Sequence, residues 1–171
     1  MKLTAINKEC QIEDSKLFGE SYLPNEWLEN DTFSPFEFFL CQLNLQELNV
    51  DGLPSNGYIY FFVDAFDLKE SKMKAKVRYF SGEPDAYTDF NDGYFDFEPE
   101  CYQITSEQNS PFLKNLEILN DFNKDISKVE LLKIPTDLLP FDLKSKFMLF
   151  IIDRSSLKNL EFENSSLVFL N

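Results

Sequence analysis

Hydrophobic positions along this chain cluster into short, dense runs separated by polar, turn-forming stretches, and most of those runs have the length of strands. Pro35–Leu45, PFEFFLCQLNL, is rich in Phe and Leu and predicts a buried strand, and LPSNG over 53–57 follows as a turn. Tyr58–Asp64, YIYFFVD, is an unbroken aromatic and β-branched run, which predicts a central strand covered on both faces. Lys72–Phe80, KMKAKVRYF, alternates instead. Met73, Ala75, Val77 and Tyr79 share one face, while Lys72, Lys74, Lys76 and Arg78 share the other, as in a half-exposed strand whose edge is guarded by lysines. Three further strands are predicted at 129–134, 147–153 and 166–171. One segment has a helical period: Ser110-Pro111 supplies an N-cap and a first-turn proline, and Phe112, Leu113, Leu116, Leu119 and Phe122 predict a helix from Pro111 to about Lys124, packed on the sheet.

Laying Phe61 on Phe150 also lays Asp64 on Asp153, Leu68 on Leu157 and Lys69 on Lys158. FLCQL and ELLKI precede the two copies at similar distances, and KVRYF and SLVFL follow them. The reading is one unit used twice, over about 36–80 and about 129–171, within a single domain spanning 1–171. Asp64 and Asp153 then stand where a strand passes into a turn, where a carboxylate caps backbone donors. The expected fold class is α+β: a β-rich, mostly antiparallel single domain built from two similar, intertwined repeats.

SKLFGESYLP (Ser15–Pro24), FLCQLNLQEL (Phe39–Leu48), LPSNGYIYFFVD (Leu53–Asp64) and FIIDRSSLKNLEFENSSLVFL (Phe150–Leu170) follow one another in an order and spacing that resemble the YwqG-like family, a bacterial domain of unknown function. The resemblance implies a single α+β domain of two intertwined β-rich repeats and implies no activity. The chain departs from that pattern in three places. The Gly-Gly and following Pro of the pattern are reduced to Gly19-Glu20-Ser21, its middle-segment His is missing, and a Trp-Gly-Asp-like stretch is replaced by Pro140-Phe141-Asp142.

Composition then narrows the chemistry. With no histidine among 171 residues, Ser-His-Asp and Cys-His catalysis and imidazole zinc sites are excluded. Cys10, Cys41 and Cys101 are odd in number and lack CxxC spacing, so they read as reduced thiols, with neither a disulfide framework nor a thiolate metal site; Cys41, inside FFLCQL, is a packing residue. No GxGxxG or GxxxxGK[ST] loop is present, and no cofactor is expected. The start of the chain has no continuous apolar region of a secretory signal, and a cytoplasmic protein is expected. A formal net charge of -14 repels phosphate backbones and anionic lipid, so neither nucleic acid nor membrane is expected as a partner, whereas a basic protein is favoured.

The most acidic stretch is Glu83–Glu100, EPDAYTDFNDGYFDFEPE, with seven carboxylates, five aromatics and no cation. Its last part alternates, and a strand of this kind is expected to lie close to the Lys72–Arg78 strand. Asp89, Asn91 and Glu100 occupy the first, third and twelfth places of an EF-hand-like loop, but Gly93 and Tyr94 at the fifth and sixth places spoil the match, and no metal site is assigned. The preferred reading is a monomeric, non-enzymatic binder of a basic protein, such as a toxin it neutralises, with Asp85, Asp89, Asp92, Tyr94 and Asp96 as the contact surface and no catalytic residue. The alternative is a hydrolase using two carboxylates across a cleft, one of them buried, or a small-ligand-binding protein.

Overall fold

The computed structural model describes residues 1–30, 32–65, 69–93, 99–106, 114–120 and 127–171. In chain order its elements are β1 (Lys2–Asn7), β2 (Lys16–Leu17), β3 (Ser21–Leu23), α1 (Asn25–Glu29), β4 (Glu37–Asn44), α2 (Leu45–Leu48), β5 (Tyr58–Asp64), β6 (Lys74–Phe80), β7 (Ala86–Thr88), β8 (Tyr102–Thr105), β9 (Lys114–Asn120), β10 (Lys128–Pro135), β11 (Phe147–Asp153), α3 (Arg154–Lys158) and β12 (Ser166–Leu170). Among the described residues, ten strands form one antiparallel sheet in the order β12-β11-β10-β9-β1-β8-β2-β4-β5-β6, and β3 pairs with β7 in a separate ribbon.

The sheet curls until its outer strands β12 and β6 approach each other, giving a nearly closed, barrel-like body. Tyr79 of β6 packs on Phe162 beside β12 with ring centroids 5.5 Å apart. Inside, Phe61 of β5 meets Phe150 of β11 edge to face at 5.1 Å, so the two runs aligned in the sequence face each other across one core.

This architecture is mainly β and not α+β. Among the described residues the three α-helices are four or five residues long. The helix expected from Pro111 to about Lys124 is overturned where it can be seen: 114–120 is strand β9, while 111–113 and 121–124 lie outside the described residues. Leu116 and Ile118 are buried and alternate with exposed Asn115 and half-buried Glu117, a strand pattern that coexists with the helical spacing of Leu116 and Leu119. Pairing decided between them, because β1 and β10 flank the segment and supply ladder partners on both sides.

Two three-stranded meanders, β4-β5-β6 and β10-β11-β12, do occupy the ends of the sheet, each with a register shift in its first pair, at Phe39/Cys41 and at Glu130/Leu132. Meanders are common in antiparallel sheets, and this topology does not establish a duplication. Each meander has a 3₁₀ turn before its last strand, Glu70–Lys72 before β6 and Phe162–Asn164 before β12, while the positions that would match α3 include 66–68, which lie outside the described residues. Asp153 sits at the N-cap of α3, but its side chain accepts no cap hydrogen bond.

The cysteines also differ from expectation. Cys10 and Cys101 form a disulfide, because the barrel brings the β1–β2 loop beside the start of β8; a separation of 91 residues carries no sign of this in the sequence. Cys41 is fully buried in the core as expected, and burial holds its thiol well above the usual range.

A carboxylate ties the two meanders together. Glu70 accepts hydrogen bonds from the backbone N–H groups of Lys144 (2.8 Å) and Ser145 (2.9 Å) and from the Ser145 hydroxyl (3.1 Å). The Ser145 N–H is the chief cause holding its carboxyl below the ordinary 4.5, against a smaller opposing effect of burial. With the folded value the lower one, the tie adds stability above the unfolded value and loses it as pH falls through the folded one. Wild type is therefore expected to melt above Glu70→Gln at about pH 7, and the gap to close below about pH 4, as read by thermal melts across pH.

Candidate functional site

β5 is apolar on both faces, and its outward side chains need a cover. Tyr58, Tyr60 and Phe62, with Leu23 of β3 and Phe39 of β4, form a second buried cluster outside the barrel, bordered by Tyr22, Trp27, Leu28, Phe33, Phe80 and Phe90. Trp27 of α1 lies edge-on to Tyr60 (5.5 Å) and Phe80 (5.8 Å), and Phe90 packs on Phe33 (4.6 Å) and Phe62 (5.2 Å). The cover is thus α1, the β3–β7 ribbon and the start of the acidic segment.

Arg78 of the cation strand is bound to groups outside that segment. Arg78 grips Glu37 with both guanidinium arms, at 2.6 and 3.0 Å, donates to the Thr32 carbonyl at 3.2 Å, and lies over Phe33 and Phe62 at 4.5 and 5.2 Å. The alternating part of the acidic stretch expected beside β6, residues 94–98, lies outside the described residues.

Within the described part, the acidic segment is fastened by its own polar side chains. Asp85 Oδ1 accepts the N–H of Asn25 at the start of α1 (2.7 Å), and the Asp85 N–H donates to the Leu23 carbonyl. Asp89 Oδ1 accepts the Asn91 N–H at 2.8 Å in an Asx turn. Asn91, 6% exposed, stands in for one residue of a neighbouring strand: its Oδ1 accepts the Phe39 N–H and its Nδ2 donates to the Phe39 carbonyl, both at 3.1 Å. Glu100, the third member of the EF-hand-like spacing, instead accepts from Asn7 Nδ2 and the Tyr102 hydroxyl. Asp89 and Asn91 thus share one network and Glu100 belongs to another.

What remains outward is a ridge. Asp85, Tyr87 and Asp89 alternate along β7 and its flanks and are all exposed, Tyr87 at 69%, with exposed Glu83 and Asp92 beside them. Of the residues chosen from the sequence, Asp85, Asp89 and Asp92 belong to this surface, the first two each using one carboxylate oxygen to hold the backbone. Tyr94 and Asp96 lie outside the described residues. Tyr87 went unselected, although the period-two D-A-Y-T-D pattern of 85–89 carries its signal. The negative field reaches inward: burial first, then Glu83, raises the Tyr22 and Tyr58 hydroxyls above the usual range.

Two carboxylates also line a cleft of about 190 Å³ formed by Phe18, Pro99, Glu100, Tyr102, Asp137 and Leu138–Pro140. Both Glu100 and Asp137 are exposed, so this cleft lacks the desolvated acid that carboxylate catalysis requires.

Residues 15–140 match the family model described as Domain of unknown function (DUF1963), a span from β2 to beyond β10 that leaves out β11 and β12. The chain belongs to this family. DUF1963 membership agrees with the expectation of an uncharacterised domain and assigns no chemistry to the ridge or the cleft. No curated protein matches the chain. Among the described residues, no helix is long and apolar enough to cross a membrane.

The Asn91 clamp has a measurable weight. Asn91→Ala leaves a buried N–H and C=O of Phe39 unpaired and is expected to cost about 2–5 kcal/mol in urea unfolding, whereas Asp92→Asn on the same turn should stay within about 0.5 kcal/mol of wild type.

Proposed function

We propose that this chain is a non-enzymatic, monomeric binding module that captures a basic protein through the β7 ridge, a basic toxin to be neutralised being one partner of that chemistry. The observation that carries the reading is the outward row Asp85, Tyr87, Asp89, with an aromatic ring 69% exposed between two carboxylates on a backbone pinned at both ends. A pinned strand presents its side chains at little further cost in ordering, and a central tyrosine flanked by charges is a favoured anchor in protein interfaces. The carboxylates and the formal charge of -14 steer a cationic surface towards it and repel nucleic acid and anionic membrane. Asp92 extends the same surface in this reading, and Tyr94 and Asp96, which the sequence also offers, lie outside the described residues.

The narrower YwqG-like resemblance, like the family, supplies no activity to set against this. The hydrolase alternative draws less support, since the cleft at Glu100 and Asp137 exposes both acids and the one shifted carboxyl discussed above, Glu70, is shifted downward. A general acid working at neutral pH needs the opposite.

Affinity capture from the native host with the full chain tests the proposal. Asp85→Asn and Asp89→Asn each keep the Oδ1 acceptor that holds the backbone and remove only charge. Combined with Asp92→Asn they are expected to slow association with a basic partner at low salt by about tenfold or more, and Tyr87→Ala to weaken binding by roughly 10–100-fold. The association rate of wild type should fall steeply as salt screens the field. A partner captured equally by all variants, or one with no excess of Lys and Arg, would remove the ridge as the site.

A further inference from the structure

The shortest join in the barrel is β2. Its two residues pair with Gln42 and Cys41 of β4 on one side and with Gln103 and Tyr102 of β8 on the other, and so connect a six-strand run, β12 to β8, with the three strands β4, β5 and β6. Two bonds extend the seam, from the Phe18 N–H to the Leu40 carbonyl (3.0 Å) and from the Ile104 N–H to the Ser15 carbonyl (2.7 Å). The Cys10–Cys101 bond fastens the loop that leads into β2 to the start of β8, because Cys10 lies between β1 and β2 and Cys101 directly precedes β8.

We propose that Cys10 and Cys101 form a reversible thiol–disulfide pair, open to exchange with small thiols, whose closure locks the β2 seam and whose reduction frees it. Both cysteines are partly exposed and line an open cleft of about 120 Å³ together with Ile12, Lys16, Gly19 and Glu20, so an incoming sulfur has a path to them. Gly19 keeps that path clear: at φ +73° it needs no side chain, and a Cβ there would stand 3.3 Å from Cys101 Sγ. Lys16 lines the same cleft, only 2% exposed, its ammonium held by the carbonyls of Gln11 and Ile12 at 2.9 Å each. A cation so placed favours the thiolate, the form that attacks a disulfide. Burial lowers Lys16 to about 8, with Asp14, Glu20 and Glu13 opposing, which leaves it mostly charged at neutral pH. Cys41, sealed in the core, is an internal control.

The co-reactant is a small disulfide of the glutathione type. One cysteine thiolate attacks a sulfur of that disulfide, its S–S bond breaks, and one small thiolate leaves, giving a mixed disulfide. The second cysteine, as thiolate, then attacks the protein-side sulfur and expels the other small thiolate. Two protein thiols have given up two electrons and two protons, and the small disulfide has become two thiols. Reduction runs the same steps backwards.

The inference does not rest on the partner reading, and the full chain suffices to test it. The protein is equilibrated across glutathione buffers from reduced to oxidised, quenched with acid, denatured, alkylated and weighed. Three alkylations are expected at the reducing end and one, on Cys41, at the oxidising end. Reduction should lower the melting temperature by roughly 5–15 °C. The Cys10→Ser variant should melt at the lower value in both buffers. Amide exchange of Phe18 and Ile104 should speed up about tenfold or more on reduction, with β11 unchanged. Three alkylations at every ratio would mean that the pair does not form, and one at every ratio would mean a permanent bond. Either result overturns the proposal, as does acceleration spread evenly over the sheet.

Discussion

A strand that buries both faces dictates much of this molecule. Ile59, Phe61 and Val63 of β5 fill the barrel, while Tyr58, Tyr60 and Phe62 point out of it, and all six are essentially inaccessible to water. A barrel wall with three large aromatics on its outer side is insoluble unless something covers it, and each ring buried contributes on the order of 1.5–3 kcal/mol. The chain answers by laying α1, the β3–β7 ribbon and Phe90 over that side. The acidic segment is therefore half cover and half surface: Phe90 and Asn91 face in, and Asp85, Tyr87 and Asp89 face out.

Polar groups complete what packing begins. Asn91 finishes the edge of β4 at Phe39, Gln42 accepts the Tyr22 N–H while donating to the carbonyls of Ile12 and Asp14, and Lys16 reaches two carbonyls of the same loop. Each is an inward-facing polar side chain satisfied by backbone, the arrangement in which burial of a polar group is tolerated and its geometry is fixed. The Tyr60 hydroxyl is a counterexample, buried among the rings of Trp27 and Tyr58 with no hydrogen-bond partner among the described residues.

Where local pattern and tertiary pairing agree, the fold was readable beforehand. Tyr58–Asp64 and Phe147–Asp153 were legible end to end because a continuous apolar run of strand length admits few other readings. β9 was not, since Leu116 and Leu119 suit a helix as well as Leu116 and Ile118 suit a strand, and only the neighbours β1 and β10 choose between them. β2 is too short to have a period, and the pairing of Cys10 with Cys101 depends on where β2 sits. At the candidate site the charges were legible, but the division of labour was not: nothing in DAYTDFND shows that Asn91 will replace a strand residue while Tyr87 is left in water.

The near-meeting of β6 and β12 bears on the hazards of synthesis. An open sheet offers its outer strands as templates for another chain, and this one turns them towards each other instead. The shelter is late, since β6 is complete by residue 80 whereas β12 spans Ser166–Leu170. While the intervening residues are being made, β6 has an unpaired edge, and exposed Lys74 with half-buried Lys76 stands along it. Lysines along an unpaired edge oppose its pairing with another chain, a protection most needed before the C-terminal strand is made.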